Sequence, residues 1–170
     1  MSNSLAVLLL LPVFCQWLTA LSRKSWLYIL GIVVIKKCLL YYSFNYNLAY
    51  LAQANAKKIK EVWGIDIAVD KSSRIIDFVI KKDAQLFFIE CNFYGGGGSK
   101  LKSTATEYIE MSRFWQAQEV TFIWVTDGKG WLKTKNPLKD YFERNNILLN
   151  IEMLKDDYLG KILFPNNLIK

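Results

Sequence analysis

Two short apolar runs decide the fold of this chain: Arg74-Ile75-Ile76-Asp77-Phe78-Val79-Ile80 and Gln85-Leu86-Phe87-Phe88-Ile89-Glu90-Cys91-Asn92. Their length and their content of β-branched and aromatic residues are typical of buried strands. Each run carries one acid, Asp77 in the first and Glu90 in the second, with no evident basic partner inside its own strand. Carboxylates are rarely buried unless they are paired or bind a metal ion, so these two positions are candidates for chemistry.

A hairpin would bring the two acids onto one face of a sheet. If Lys81-Lys82-Asp83-Ala84 forms the loop, Ile80 lies opposite Gln85 and Asp77 opposite Phe88. Glu90 is then a diagonal neighbour of Asp77 on the same face, roughly 7–8 Å away between backbones. Two carboxylates reaching across that gap can share one divalent cation, as in metal-dependent phosphodiesterases. Acids at strand ends are also common for structural reasons, and the spacing alone leaves both interpretations open.

The composition excludes several classes of chemistry. The chain has 170 residues, 52% of them hydrophobic, which suits one domain with a substantial core. It has no histidine, which excludes His-based acid–base catalysis, Ser-His-Asp triads and most zinc sites. Its three cysteines, Cys15, Cys38 and Cys91, are far apart and fit a reduced compartment, so we expect a cytoplasmic protein. Cys91, one residue out of phase with Glu90, is expected to pack in the core.

The first 46 residues differ from the remainder. Residues 1–60 contain no acid, whereas residues 61–170 hold equal numbers of basic and acidic side chains, so the net charge of +7 arises at the front. The apolar run 5–22 is interrupted by Pro12, and the run 26–35 is too short to span a bilayer as a helix. Three interpretations remain open: membrane helices, a buried helical hairpin, or a segment foreign to the fold. We expect no functional membrane anchor, and divide the chain into residues 1–46 and 47–170.

From residue 47 onward the patterning predicts an α/β protein. Leu48 to Val62 has a helical period that ends at Trp63-Gly64, and the two acidic strands follow. Four glycines, residues 95–98, precede a helix from 100 to about 118, with Ser99 as its N-cap. The remaining predictions are a strand over 120–125, a turn at 127–130, a helix opened by Pro137, a strand over 147–149 and a last helix near Asn150. The predicted buried face of the helix after the glycines is Leu101, Thr104, Tyr108, Met111 and Trp115.

This order of elements, with acids in the hairpin, resembles the PD-(D/E)XK nuclease core. More narrowly, three segments resemble the DpnII/MboI-type type II restriction endonucleases over about residues 50–160. They are Phe88-Ile89-Glu90-Cys91-Asn92-Phe93-Tyr94, Gly98-Ser99-Lys100-Leu101, and Phe122-Ile123-Trp124-Val125-Thr126-Asp127-Gly128-Lys129-Gly130-Trp131. The resemblance implies a mixed sheet flanked by helices, double-stranded DNA containing GATC as substrate, Mg²⁺ as the cofactor and no small-molecule cofactor. A homodimer is compatible with it.

The resemblance also implies roles for individual residues. Asp77 and Glu90 would be the metal ligands. Asn92 occupies the position at which the superfamily motif has lysine; its amide can orient the attacking water but brings no positive charge. Lys100 is expected to supply that charge, or to contact a phosphate. The expected DNA-contacting residues are Tyr94, Gly96, Gly97, Ser99, Lys100, Lys102 and Lys129.

Two other functions remain open at this stage. The chain resembles the C-terminal catalytic part of such enzymes, and the acid that a preceding helix often contributes near the metal has no equivalent before Glu61. We therefore expect little or no GATC cleavage by the 170-residue chain as it stands, and Mg²⁺-dependent cleavage once a complete N-terminal half is restored. A catalytically inactive DNA-binding remnant and a membrane-tethered domain are the alternatives.

Overall fold

A five-stranded mixed sheet forms the centre of the molecule, in a computed structural model that describes residues 23–145 and 147–165. The strands lie in the order in which they occur in the sequence: β1, β2 and β3 are antiparallel, and β4 and β5 continue parallel to β3. In chain order the elements are α1 (Arg23–Tyr46), β1 (Ala49–Ala54), α2 (Ala56–Trp63), β2 (Ile76–Lys82), β3 (Gln85–Phe93), α3 (Ser99–Gln116), β4 (Val120–Asp127), a 3₁₀ helix (Lys129–Lys133), α4 (Asn136–Asn145), β5 (Leu148–Leu149), α5 (Ile151–Lys155) and α6 (Tyr158–Leu163).

The predicted α/β architecture is confirmed, with one element assigned wrongly. Residues 49–54 form the edge strand β1, whereas their apolar spacing predicts the first turns of a helix. The helix begins only at Ala56, after Asn55 caps it by accepting a hydrogen bond from the Lys58 amide at 2.9 Å. Backbone hydrogen bonds to β2 outweigh the local helical pattern, because pairing with the buried β2 also covers the apolar side chains of this segment.

Apolar residues cover both faces of the sheet. On one face α1, α5 and α6 pack over Phe78, Ile80, Ile89 and Val125. On the other face α3 and α4 enclose a cluster rich in aromatic rings, in which the predicted buried face of α3 is confirmed. Cys91 is 3% exposed and lies in the core, as expected.

The N-terminal segment contributes to this core over the part that the structure describes. Ile35, Leu39 and Tyr42 of α1 are almost fully buried against the sheet. Among the described helices, none is both long enough and apolar enough to cross a membrane. The apolar run 5–22 lies outside the described residues, so its interpretation and the division at residue 46 stay predictions.

Candidate active site

The hairpin register differs from the predicted one by two residues. The loop is the two-residue turn Asp83-Ala84, so Lys82 pairs with Gln85 and Val79, not Asp77, lies opposite Phe88. Short two-residue turns match the twist of antiparallel strands, and aspartate tolerates the positive φ of 54° at position 83. The shift by an even number preserves which side chains share a face.

The observed register makes Asp77 and Glu90 neighbours on adjacent strands. The β2–β3 ladder ends at the pair Phe78–Ile89, and Asp77 and Glu90 are the next residues on their strands. Glu90 is on the side of the sheet covered by α3, where the Tyr108 hydroxyl bonds to it, and the charge of Asp77 acts on Glu90. Where the ladder ends, an Asp77 oxygen accepts the Cys91 amide at 2.9 Å, so the carboxylate of β2 takes the place of a backbone acceptor.

Gln53 of β1 holds the second oxygen of Asp77. Its amide nitrogen donates to Asp77 Oδ1 at 2.6 Å, which leaves each Asp77 oxygen with one donor. The Gln53 backbone has a φ of 49°, a conformation that non-glycine residues adopt rarely and often at functional sites. Sequence reasoning missed Gln53 because it lies in the stretch whose spacing predicts a helix.

Glu90 is buried and has one oxygen without a partner. The residue is 7% exposed, and its Oε1 atom has no hydrogen-bond partner among the described residues. Loss of hydration, together with the smaller effect of the charge on Asp77, raises the pKa of Glu90 from 4.5 to about 8. The charge of Arg74 and a hydrogen bond from Tyr108 oppose this rise. Glu90 is therefore a buried acid with a raised pKa and one oxygen without a hydrogen-bond partner among the described residues.

A directed chain of hydrogen bonds leads from the core to Glu90. The Trp124 indole, which can only donate, bonds to Asn92 Oδ1 at 2.6 Å, so the other end of the amide must be the donor. Asn92 Nδ2 donates to the Tyr108 hydroxyl at 2.9 Å. That hydroxyl is left to donate its own proton to Glu90 Oε2, at 3.5 Å. Asn92, the residue in the lysine position of the motif, is thus fixed from both sides.

The tyrosines of the α3–α4 side provide a test of this chain. We expect Tyr108→Phe to lower the free energy of unfolding by about 1–2 kcal/mol, because it leaves Asn92 and Glu90 without their common partner. The matched control is Tyr141→Phe: Tyr141 is fully buried and its hydroxyl has no partner in the described chain, so its removal should be neutral or stabilising. Urea denaturation of both variants measures the difference in the free energy of unfolding. Equal effects of the two substitutions would contradict the hydrogen bonds from Asn92 through Tyr108 to Glu90.

Arg74 links the loop before β2 to α3 beside the acids. Its guanidinium bonds to Asp70 at 2.8 Å and to Glu107 at 2.9 Å, and its side chain is 14% exposed. The two partners raise the pKa of Arg74, which keeps a permanent cation within electrostatic reach of Glu90. Asp70 lies only four residues before Arg74, but Glu107 lies 33 residues after it, and the sequence offered no signal for that long-range contact.

The glycine loop after β3 packs against the turn after β4. Gly130 donates its amide to the Tyr94 carbonyl at 2.8 Å, and a β-carbon added at Gly130 would lie 2.5 Å from the Gly96 carbonyl oxygen. Gly128 has a φ of 116°, and a β-carbon there would lie 2.3 Å from the Tyr94 carbonyl oxygen. The two loops therefore form one rigid unit at the carboxyl ends of the parallel strands β3 and β4.

Glycine variants test the contact between these loops. Gly128→Ala should lower the free energy of unfolding by about 2 kcal/mol or more, since the added methyl meets backbone atoms and the φ is unfavourable. Gly96→Ala is the control: an added β-carbon meets nothing within 4 Å, so stability should change little. Thermal unfolding of the two proteins gives the comparison, and a tolerated alanine at position 128 would refute the rigid unit.

The structure brings the expected DNA-contacting residues to this same edge of the sheet. Gly96, Gly97, Ser99, Lys100, Lys102 and Lys129 are exposed there. Ser99 is the first residue of α3, and the N-cap position is occupied by Gly98, so no side chain caps this helix. The prediction of Ser99 as the N-cap was wrong. Tyr94 is half-buried, with its hydroxyl donating to Thr104 at 2.9 Å and its ring 5.3 Å from that of Trp131.

Comparison with known proteins agrees with this geometry. The family profile described as "DpnII restriction endonuclease" matches residues 33–161. The type II restriction enzyme MjaIII of Methanocaldococcus jannaschii is 48% identical over 123 residues, which cover 70% of this chain and 42% of that protein. LlaDCHI of Lactococcus lactis subsp. cremoris is 41% identical over 68% of this chain and 40% of its own length. DpnII of Streptococcus pneumoniae is 38% identical over 110 residues, which cover 62% of this chain and 38% of that protein.

These matches cover only about two fifths of each relative. No solved structure gives a significant match. Within the chain, the family profile begins inside α1 and ends inside α6, so it includes both helical layers and every strand of the sheet. The chain belongs to the DpnII restriction endonuclease family.

Proposed function

We propose that this chain carries the catalytic site of a type II restriction endonuclease, which hydrolyses phosphodiester bonds of double-stranded DNA at GATC with Mg²⁺. The observation that carries the proposal is the Asp77–Glu90 pair on adjacent strands, with one buried Glu90 oxygen that lacks a partner. Such an oxygen is unfavourable unless a cation or a proton occupies it. The family membership supports the reaction class, and the names of the relatives identify them as type II restriction enzymes.

The residues fit a magnesium ion. Mg²⁺ binds through one or two carboxylates and completes its octahedron with water and substrate phosphate. Among residues 23–145 and 147–165, no group of three or more acidic, cysteine or histidine side chains is placed to hold a metal. Asp77 and Glu90 would hold the ion, which supplies a water of lowered pKa and neutralises charge that develops on the phosphate.

The other side chains act on the acids and on the substrate. Gln53 and the Cys91 amide orient Asp77, and Tyr108 orients Glu90. Asn92 retains one amide hydrogen after bonding to Tyr108, and we assign that hydrogen to the attacking water. Lys100 lies in the first turn of α3 without an ion-pair partner among the described residues, and we assign it to the phosphate at the site.

The exposed edge formed by the glycine loop and the turn after β4 is assigned to the DNA backbone. Gly96, Gly97 and Ser99 present backbone amides there, while Tyr94 supports the loop from below. Lys102 and Lys129 add positive charge at the same edge. GATC is self-complementary, so a homodimer with a two-fold axis would present one site to each strand, and we expect such a dimer on DNA.

A metal-independent DNA-binding protein is the second candidate. It is favoured by Asn92, which brings no charge to the lysine position. One experiment separates the candidates: the purified chain, in excess, is incubated with unmethylated duplexes that contain GATC or a scrambled site, with Mg²⁺ or with chelator. Cutting or duplex binding that is confined to GATC and depends on Mg²⁺ supports the endonuclease site, whereas GATC-preferring binding that is equal with Mg²⁺ and with chelator, without cutting, supports the second candidate. Neither cutting nor preferential binding would refute both.

A further inference from the structure

Leu132 is an apolar side chain in an unusual setting. It lies within the 3₁₀ helix after β4 and is 68% exposed, the second highest value among the exposed large apolar side chains of the described chain. A single exposed leucine is common and carries no meaning by itself. Here the neighbouring residues fix where the side chain can go and what surrounds it.

The turn that carries Leu132 is held rigidly. The adjacent Trp131 is 6% exposed, and its indole donates to Thr126 at 2.9 Å. Its ring lies 5.7 Å from the ring of Trp124, which in turn bonds to Asn92 of the candidate site. Gly130, on the other side of Trp131, is packed against the glycine loop. Because Trp131 occupies the core position, Leu132 is directed away from the core and stays there.

Three lysines flank this leucine along the chain. Lys129, Lys133 and Lys135 are exposed, and none of them forms an ion pair within the described part of the chain. The nearest acid in sequence, Asp127, is already engaged: its two oxygens accept the amides of Gly128 at 2.6 Å and Ile151 at 3.1 Å. The surface is therefore an apolar tip between cations, held by packed aromatic rings at a fixed position relative to Asn92.

Duplex DNA has the complementary arrangement. Its phosphates form two anionic borders, and the major groove between them exposes one apolar group, the C5 methyl of thymine. We propose that Leu132 enters the major groove of the bound duplex and contacts the thymine methyl of the recognition site, while Lys129 and Lys133 contact the phosphates on either side. This inference rests on the proposed function, because that function supplies the duplex and its thymines. A single leucine is too small an apolar area to favour a membrane surface instead.

The test removes the thymine methyl from the DNA, by replacing thymine with uracil, and the Leu132 side chain from the protein, by the substitution Leu132→Ala. Binding of the 170-residue chain is measured, with Ca²⁺ and with chelator, to a GATC duplex and to the same duplex with uracil in place of thymine. Wild-type protein should bind the uracil duplex roughly fourfold or more weakly, as expected for one lost buried methyl. Leu132→Ala should bind the thymine duplex more weakly than wild type and should no longer distinguish the two duplexes.

The control is Leu40→Ala, which removes another exposed leucine, 61% exposed, from α1 on the opposite side of the sheet. It should retain the wild-type discrimination between thymine and uracil. Equal discrimination by Leu132→Ala and wild type, or none by wild type, overturns this inference and leaves the proposed function standing. If wild type binds anionic lipid vesicles and no duplex of either kind, both the inference and the proposed function are overturned.

Discussion

Glu90→Gln should make the metal-free protein more stable at pH 8.5–9, by about 5 kcal/mol. Burial raises the pKa of the native carboxyl from 4.5 to about 8, and each tenfold gain in proton affinity corresponds to about 1.4 kcal/mol. Because the folded state holds the proton more tightly than the unfolded state, native stability falls as the pH rises from about 4.5 to about 8. Glutamine has no proton to lose, so its stability lacks this decline.

The pH profile of the free energy of unfolding measures this effect. The difference between native protein and Glu90→Gln should vanish near pH 4 and grow through pH 8, and added Mg²⁺ should reduce it, since a cation stabilises only the carboxylate. Glu107→Gln is the control, because it should change the free energy of unfolding in the opposite direction. Hydrogen bonds from Arg74 and Lys71 lower the pKa of Glu107, so its removal should destabilise the protein at neutral pH and matter less as the pH falls. Parallel profiles for native protein and Glu90→Gln would disprove the buried-acid interpretation.

Asp77→Asn and Glu90→Gln should each reduce GATC cleavage by at least about a thousandfold wherever the parent protein cleaves. The loss of one ligand removes several kcal/mol of transition-state stabilisation by the cation, and about 1.4 kcal/mol corresponds to a factor of ten in rate. Both variants should still bind duplex DNA, because the lysines at the carboxyl edge of the sheet are unchanged.

Two measurements separate loss of the cation from loss of the fold. Isothermal titration with Mn²⁺ should give binding to the native chain and none to either variant, while thermal unfolding shows both variants folded. Glu110→Gln, which removes an exposed acid from α3, should bind Mn²⁺ like the native chain. Undiminished cation binding after loss of both carboxylates would show that the ion is held elsewhere.

Local sequence was sufficient to predict features that depend on a single helix or strand. The strands β2, β3 and β4 were predictable because short apolar runs rich in β-branched and aromatic residues are typical of buried strands. The buried face of α3 and the end of α2 at Gly64, whose φ is 70°, followed from helical spacing and from the freedom of glycine. That Asp77 and Glu90 lie near each other on adjacent strands was also predictable, because the two apolar runs form a hairpin.

Contacts between distant segments were decided only by the tertiary structure. The strand conformation of residues 49–54 depends on hydrogen bonds with β2, which a local pattern does not contain. The roles of Gln53 and Arg74 depend on Asp77 and Glu107, which lie 24 and 33 residues away from them in the sequence. The hydroxyl of Tyr108 illustrates the division: helical spacing predicted that the ring is buried, but only the packing of α3 over β3 shows that it reaches Glu90. Burial follows from the periodicity of one element, whereas hydrogen-bond partners follow from how elements pack together.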